Sequence, residues 1–544
     1  MTEPLADLRA ALDAAVSDVA GDGGAPPTPP ALDRPRQAEH GDYATNAAML
    51  LTKRLGQPPR EIAQRIAAAL GEQLGGSLTS AEVAGPGFLN LVLDDAWYAA
   101  AVADVLAAGD SWGGGGADPP LAVNVEFVSA NPTGPVHVGG TRNAAYGDAL
   151  ARLLAFQGHR VHREFYVNDF GSQTRRLGES IQARARGEEP PADGYKGEYV
   201  KDLAAAIDGA GELPVDDVAR RGVELMVAQA ETSLARFRIT FDHWFSERSL
   251  HEGDPTPVAH AFDVLDGQGR TFREDGALWL RTTDFGDDKD RVLERSNGEH
   301  TYFASDIAYH QEKRERGFNL LIDVWGADHH GYVQRMQAAF QALGGGPEQL
   351  ELLIMQFVHL VEAGERGKMS KRAGEFVTLD DLVDDIGVDA ARWFLLARSH
   401  DTSIDLDLEL ARSQSSDNPV YYVQYAHARI ASVLRKAGDA RVAEALAAPA
   451  LVPAAGLHPS ERALVRRLLD FPEEAREAAD RRAPHRIAAY ALEAAQLFSA
   501  FYRDCQVVGA PADEETVRLR LSVATLNVLA RALDLLGIEA PREM

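Results

Sequence analysis

Two stretches of the 544-residue chain combine residue types able to handle a phosphorylated ligand. The first, "NPTGPVHVGG" (Asn131–Gly140), sets one imidazole, His137, among two prolines and three glycines, directly after the apolar run "LAVNVEFV" (Leu121–Val128). If that run is a strand and "TRNAAYGDALARLLAFQG" the next helix, the loop lies where parallel sheets bind ligands, at a strand's carboxyl end facing a helix N-terminus. Pro132 and Pro135 stiffen the approach. Gly139 and Gly140 leave room for a flat base against the backbone, and His137 offers a hydrogen-bond donor to a phosphate. The competing reading is a turn with an ordinary core histidine. The second stretch, "GERGKMSKRAGEFVTLDDL" (Gly364–Leu382), pairs Lys368 with Lys371 around Met369 and Ser370, in a chain with only eight lysines. Lysines on a glycine-hinged loop suit a triphosphate that gains charge transiently; a solvated basic turn is the alternative. Thr378, with Asp381 three residues later, reads as the N-cap of the following helix.

Positioning these loops calls for a sheet with crossover helices. From Leu121 to about Ser399, strand-like runs ("HREFYVND", "FNLLIDVWG", "ELLIMQFVHLV") alternate with helical ones, which predicts a parallel sheet. The expected organisation is α/β. Residues 1–108 form an N-terminal α+β domain, and 109–120 ("GDSWGGGGADPP") a linker. Residues 121–411 form a Rossmann-like parallel-sheet domain with an insertion at about 172–240, and 412–544 an all-helical domain. The net charge of −27 argues against indiscriminate nucleic-acid binding. From Tyr421 to Met544, however, 16 basic residues balance 16 acidic ones, so the whole excess lies earlier. The arginines of "RRLLDFPEEAREAADRRAPHR" (Arg466–Arg486) are therefore candidates for a nucleic-acid grip. The single cysteine, Cys505, the absence of a basic-then-apolar start and the lack of a long apolar run suit a cytoplasmic protein. The adjacent His329 and His330 have neither cysteine partners nor HExxH spacing, so no protein-bound structural metal is expected.

The two loops, in this order and over 200 residues apart, together resemble the signature motifs of class I aminoacyl-tRNA synthetases. One departure is that Gly140 stands where the first motif usually ends in a second histidine, which puts more of the charge stabilisation on Lys368 and Lys371. "VEFVSANPTGPVHVGG", "FYVNDFGSQ", "TYFASDIAYH" and "WGADHHGYVQRM", with the N-terminal "GDYATNAAMLL" and "GPGFLNLVL" and the helical C-terminus, narrow the resemblance to the arginyl-tRNA synthetase family over nearly the whole chain. It implies ATP-dependent attachment of L-arginine to tRNA(Arg) through an arginyl-adenylate. ATP is then a substrate with Mg²⁺, the C-terminal helices bind the anticodon, and the working unit is expected to be a monomer. ATP would meet Pro135, His137, Gly139, Gly140, Lys368, Met369, Ser370 and Lys371. A guanidinium keeps its charge and offers five donors, so its pocket needs carboxylates. Asp306 beside Tyr302, four apart on a helix, supplies a carboxylate and a phenol; Glu126 and Glu247 are further candidates. By resemblance, Asn131 and Asp328 hold the α-amino end and Tyr302, Asp306 and Glu247 the guanidinium. Two rival readings are a tRNA-independent nucleotidylyltransferase and a non-catalytic tRNA-binding paralogue. The terminal domains argue against the first and the intact lysine loop against the second.

Overall fold

The structure, a computed structural model, describes residues 3–21, 26, 28–35, 37, 40–366, 370–371 and 375–544, giving backbone alone for 370–371 and 375–376. Its N-terminal part is built from α1 (Pro4–Ala20), β1 (Tyr43–Thr45), α2 (Ala47–Leu55), α3 (Pro59–Leu74), β2 (Leu78–Ala84), β3 (Phe88–Leu93) and α4 (Asp95–Ala108). The strands form an antiparallel sheet in the order β1-β3-β2. Alternation in β3 turns Leu89, Leu91 and Leu93 inward, and the i, i+4, i+8 spacing of Ile62, Ile66 and Leu70 gives α3 one apolar face to meet them.

The glycine-rich run after α4 is packed against its neighbours. Trp112 is buried, and its indole N–H donates to the Leu468 carbonyl at 3.0 Å. A Cβ on Gly114 would stand 2.9 Å from the Phe156 carbonyl oxygen, so backbone proximity is what requires glycine there.

The parallel-sheet region begins with β4 (Ala122–Glu126), α5 (Val138–Gln157), β5 (Arg160–Val167) and three inserted helices, α6 (Ser172–Ala185), α7 (Glu198–Ala206) and α8 (Val215–Arg236). β6 (His243–Ser246), α9 (Pro257–Gly267) and a small antiparallel sheet of β7 (Thr271–Glu274), β8 (Ala277–Leu280) and β9 (Arg291–Glu294) follow. α10 (Tyr302–Glu315), β10 (Leu320–Gly326), α11 (Val333–Ala342) and β11 (Leu350–Met355) complete it. Five parallel strands lie in the order β11-β10-β4-β5-β6. The chain thus runs outward from β4 to β5 and β6 on one side, then to β10 and β11 on the other. The carboxyl end of β4 is the point where strand order reverses, the crevice in which open α/β sheets bind ligands.

Four short strands follow: β12 (Val358–Glu362), β13 (Glu365–Arg366), β14 (Ser370–Lys371) and β15 (Glu375–Phe376). Next come α12 (Leu379–Leu396), β16 (Ile404–Asp407) and α13 (Leu408–Arg412). The C-terminal region is helical: α14 (Pro419–Ala437), α15 (Asp439–Ala447), α16 (Pro459–Asp480), α17 (His485–Asp504) and α18 (Ala512–Leu535). Cys505 is buried in its core. No helix among the described residues is long and apolar enough to cross a membrane.

Four arginines of 466–486, Arg466, Arg467, Arg482 and Arg486, are half-buried or buried and paired within the molecule, which corrects their assignment to a nucleic-acid grip, while Arg481 stays exposed. Arg466 pairs with Asp42 of the N-terminal domain, Arg482 with Glu351 at 2.8 Å, and Arg486 with Glu474 at 2.9 Å. Neighbouring Arg462 holds Asp95 at 2.6 Å and Glu473 accepts Arg9 at 2.6 Å, so α16 is the docking rail for the N-terminal domain. Linear spacing could not separate a basic face aimed at a polyanion from one aimed at the chain's own carboxylates.

Arg392 on α12 ties the parallel-sheet and helical regions together. Fully buried, it donates to Asp148 on α5 (2.5 Å), to the Leu536 carbonyl (2.7 Å) and to the Phe237 carbonyl (3.0 Å). Replacement by methionine roughly keeps the volume but strands two buried carbonyls and leaves the buried Asp148 carboxylate with Arg152 (2.8 Å) as its remaining close cation. Arg392→Met should lose about 3–5 kcal/mol, the scale for breaking one side of a buried charge pair. Thermal and urea unfolding midpoints measure this, and unchanged midpoints contradict the tie.

Candidate functional site

The loop after β4 is bent by two left-handed residues, Val128 (φ 70°) and Ser129 (φ 41°). The Ser129 N–H donates to the Phe127 carbonyl at 3.0 Å, closing a three-residue turn. A β-branched residue there costs about 1–3 kcal/mol, a strain typical of ligand sites. Side-chain bonds hold it: Ser129 Oγ donates to Glu126 Oε1 (2.8 Å) and accepts the Tyr166 N–H (3.2 Å). Further on, the Tyr199 hydroxyl of α7 donates to the Thr133 carbonyl at 2.7 Å, so the insertion steadies this loop.

His137 is the N-cap of α5, its Nδ1 accepting the Gly139 N–H at 3.0 Å. That bond leaves the ring proton on Nε2, which makes Nε2 the donor, and partial burial lowers the ring's pKa so that the neutral form prevails near pH 7. Gly139 has a local reason as well: a Cβ there would lie 2.6 Å from the His137 ring, whereas one on Gly140 would meet open space. Pro135 is half-buried beside them.

Backbone pairing joins the two motif loops. The Val138 N–H donates to the Val377 carbonyl and the Leu379 N–H to the Val136 carbonyl, each at 2.8 Å, so His137 faces Thr378 in an antiparallel bridge. Thr378 and Asp381 form the expected capping box on α12. β14, which contains Ser370 and Lys371, pairs with β15 only a few residues before that bridge. Lys368 and Met369, and the side chains of Ser370 and Lys371, lie outside the described residues. Buried Arg142 on α5 donates to the carbonyls of Gln356, Ser399 and Thr402, each at 2.8 Å, and fixes the helix against the chain on both sides of the loop.

The carboxylate candidates divide into two kinds. Glu126 is buried with both oxygens engaged, one by Ser129 and one by Lys313 Nζ at 2.5 Å. Half-buried Asp306 accepts the Tyr332 hydroxyl, and burial raises its pKa. Glu247 is buried and pushed up to about 7, first by burial and then by the charge of Asp306; the hydroxyls of Tyr166 and Ser305 oppose this. The Asn168 amide, oriented with its nitrogen toward Glu247, donates at 2.8 Å and lies between Glu247 and exposed Asn131. Asp306, Glu247, Tyr166 and Tyr332 thus form one group. Tyr302 opens α10 one turn before Asp306 but is 69% exposed, and Asp328 is exposed beside His329. Tyr166 and Tyr332 escaped the sequence reading because each belongs to an apolar-looking strand or helix start. Lys313, seven residues after Asp306 on the same face of α10, carried one signal: a rare lysine in an otherwise buried helical stripe.

Among the described residues, His162 Nε2 and His243 Nδ1 approach Glu164 Oε2 at 3.4 and 3.2 Å, a trio with metal-ligand spacing. The Glu164 carboxylate already receives Arg316 (2.5 and 2.8 Å) and the Tyr309 hydroxyl (2.6 Å). Despite burial, those partners hold its pKa well below the usual range, and the guanidinium supplies the charge a cation would bring.

The chain matches the arginyl tRNA synthetase N-terminal domain family over residues 6–93. It matches the tRNA synthetases class I (R) catalytic domain over 105–190 and 207–429, and the DALR anticodon binding domain over 423–544. Similar solved structures include one from Campylobacter jejuni assigned as an arginyl-tRNA synthetase: 34% identical, covering 83% of this chain and 100% of that one, TM-score 0.76. The Thermus thermophilus arginyl-tRNA synthetase is 25% identical, covers 98% of this chain and 100% of its own, and has a TM-score of 0.77. The Plasmodium falciparum enzyme, 16% identical over 99% and 98% of the two chains, shares the fold at a TM-score of 0.75.

The raised Glu247 pKa gives a signed pH dependence. A carboxyl at about 7 when folded, against its ordinary value of 4.5, contributes stability that is complete below the unfolded value and lost as pH rises through 7. From pH 5 to 8 the protein should lose roughly 1–3 kcal/mol relative to its Glu247→Gln variant. Over pH 6 to 8, affinity for a guanidinium cation should grow about tenfold as the site ionises, a trend flattened by the same substitution. Parallel stability–pH curves for the two proteins would remove Glu247 from the site.

Proposed function

Because the chain belongs to the arginyl-tRNA synthetase family, and is therefore an arginine–tRNA ligase working through an arginyl-adenylate, we propose how its own residues carry the two half-reactions. The observation that supports this assignment is the backbone bridge between His137 and Thr378, which sets the two ATP loops side by side at the carboxyl end of β4. ATP enters as its Mg²⁺ complex, the ion neutralising the triphosphate. Pro135, Gly139 and Gly140 face the nucleoside. His137, through Nε2–H, and the loop Lys368–Met369–Ser370–Lys371 stabilise charge on the leaving phosphates.

The arginine carboxylate attacks the α-phosphorus in line, forming the mixed anhydride and releasing pyrophosphate. The terminal ribose hydroxyl of tRNA then attacks the anhydride carbonyl, forming the ester and releasing AMP. The protein contributes position and field and needs no covalent nucleophile. Asp306 and Glu247, with Tyr302 at the mouth, take the guanidinium; Asn131 and Asp328 take the α-amino end. Apolar amino acids would leave those carboxylates unpaired, which gives strong rejection without an editing site. A single buried thiol suits the cytoplasm.

For tRNA(Arg), the helical region offers a groove of about 490 Å³ lined by Tyr425, Arg429, Arg435, Lys436, Tyr502 and Glu543. The Arg429 guanidinium lies 4.5 Å from the Tyr425 ring centre and 5.5 Å from that of Tyr502, both tyrosines being 41% exposed. Exposed rings interleaved with cations suit unstacked bases on a phosphate backbone. This face replaces the internally paired arginines of α16 as the anticodon contact. Tyr502→Ala should cost about 1–3 kcal/mol of tRNA affinity, and Arg429→Ala should lower the salt slope by about one, with arginine activation little changed. Filter-binding titrations over a range of salt read both, and wild-type slopes would move the contact elsewhere.

Asp306→Asn keeps the size and removes the charge. Its kcat/KM for arginine should fall by about 2–5 kcal/mol while ATP affinity holds. Pyrophosphate exchange across the twenty amino acids, with and without tRNA, is the measurement. Normal use of arginine by the variant would refute the pocket assignment.

A further inference from the structure

Lys313 is fully buried, yet it lies outside both motif loops. On α10 it falls seven residues after Asp306, two turns along the same face, with Tyr309 and His310 between. Its Nζ donates to Glu126 Oε2 at 2.5 Å, at the end of β4, and to Asp323 Oδ1 at 2.9 Å on β10. It also lies 4.2 Å from the Tyr309 ring centre. His310 supports the same pair of strands, its Nε2 at 2.9 Å from Asp323 Oδ2 and its Nδ1 at 2.7 Å from the Asp306 carbonyl. One cation therefore bridges the two strands that flank the crevice where strand order reverses. Burial alone would push Lys313 toward neutrality, but Asp323 and Glu126 raise its pKa above the ordinary value and keep it charged.

Two consequences follow from the geometry. Glu126, with one oxygen on Lys313 and the other on Ser129, is already matched by an internal cation, although its residue type and place would suit a substrate guanidinium. Moreover, the Lys313–Glu126–Ser129 chain ends in the left-handed Val128–Ser129 turn, two residues before Asn131. A strained turn keeps its shape only while its surroundings over-determine it, and this chain of bonds does so from the helix that also carries Asp306.

We propose that Lys313 is a positioning residue for amino-acid recognition, holding Glu126 and Ser129 so that Asn131 meets the substrate's α-amino group while Glu126 is kept from competing for its guanidinium. This rests on the arginine pocket proposed above. The lysine touches no substrate atom and acts through Glu126, so its loss should appear at the α-amino end and not across the whole site.

The test compares Lys313→Met, Lys313→Arg and Ser129→Ala with the wild-type chain in pyrophosphate exchange supported by tRNA. Arginine and ATP are varied separately, and argininic acid, with a hydroxyl in place of the α-amino group, is the competing probe. Lys313→Met should raise KM for arginine about 30-fold while KM for ATP and inhibition by argininic acid each move less than about threefold. Lys313→Arg, which retains the charge, should return KM to within about threefold of wild type, and Ser129→Ala should give the same selective pattern at about fivefold. Should Lys313→Met fail to fold, the other two variants carry the test. Parallel weakening of arginine, ATP and argininic acid would overturn the proposal in favour of a packing role. So would Ser129→Ala with unchanged arginine KM. A wild-type chain that exchanged pyrophosphate with an amino acid other than arginine would defeat the pocket reading itself, a separate failure.

Discussion

A pocket for a permanently charged guanidinium needs carboxylates away from water, and a carboxylate away from water needs a partner before the substrate arrives. The chain meets this constraint by dividing its buried carboxylates. Glu126 and Asp323 receive Lys313, and Glu164 receives Arg316 with Tyr309, so each is matched by an internal cation. Asp306 and Glu247 are held largely by neutral groups, the hydroxyls of Tyr332 for one and of Tyr166 and Ser305 for the other. Burial raises the pKa of both, as it does that of Glu126; what sets Asp306 and Glu247 apart is that hydroxyls hold them where Lys313 holds Glu126, a deficit a guanidinium could complete. The division also explains why so many charged side chains can sit behind one sheet without unfolding it.

The ATP side follows a different economy, built from backbone. His137 caps α5, its own loop pairs with the start of α12, and Thr378 with Asp381 caps that second helix. Two helix N-termini are thereby brought to the carboxyl end of β4, where the aligned peptide dipoles favour phosphate. Under the proposed assignment the amino-acid and nucleotide sides share β4 and the turn after it, where Val128 and Ser129 are left-handed.

The outer domains are held by ion pairs in which α16 is the common partner. Arg462 and Arg466 reach the N-terminal domain and Arg482, in the turn after α16, reaches β11, while the aromatic groove between α14 and α17 lies apart from those contacts. A chain of net charge −27 that pairs many of its arginines internally still sets half-buried Arg429 between the exposed rings of Tyr425 and Tyr502.

Much of the architecture was legible in the linear chain because it rests on periodicity and local geometry. Apolar runs of strand length gave the parallel sheet, a Thr–x–x–Asp spacing gave the α12 cap, and glycines and prolines around His137 gave the loop at the end of β4. The motif order and the carboxylate on α10 were enough to point to ATP and arginine. Partner choice was not legible. The same arginines could face tRNA or Asp42, Glu126 could face a substrate or Lys313, and Asp306 could take its phenol from Tyr302 four residues away or from Tyr332 twenty-six away. Each is a pairing between charges or hydroxyls far apart in the chain, with energies set by burial and ångström-scale distance. Those quantities exist only once β4, β10 and α10 have packed together.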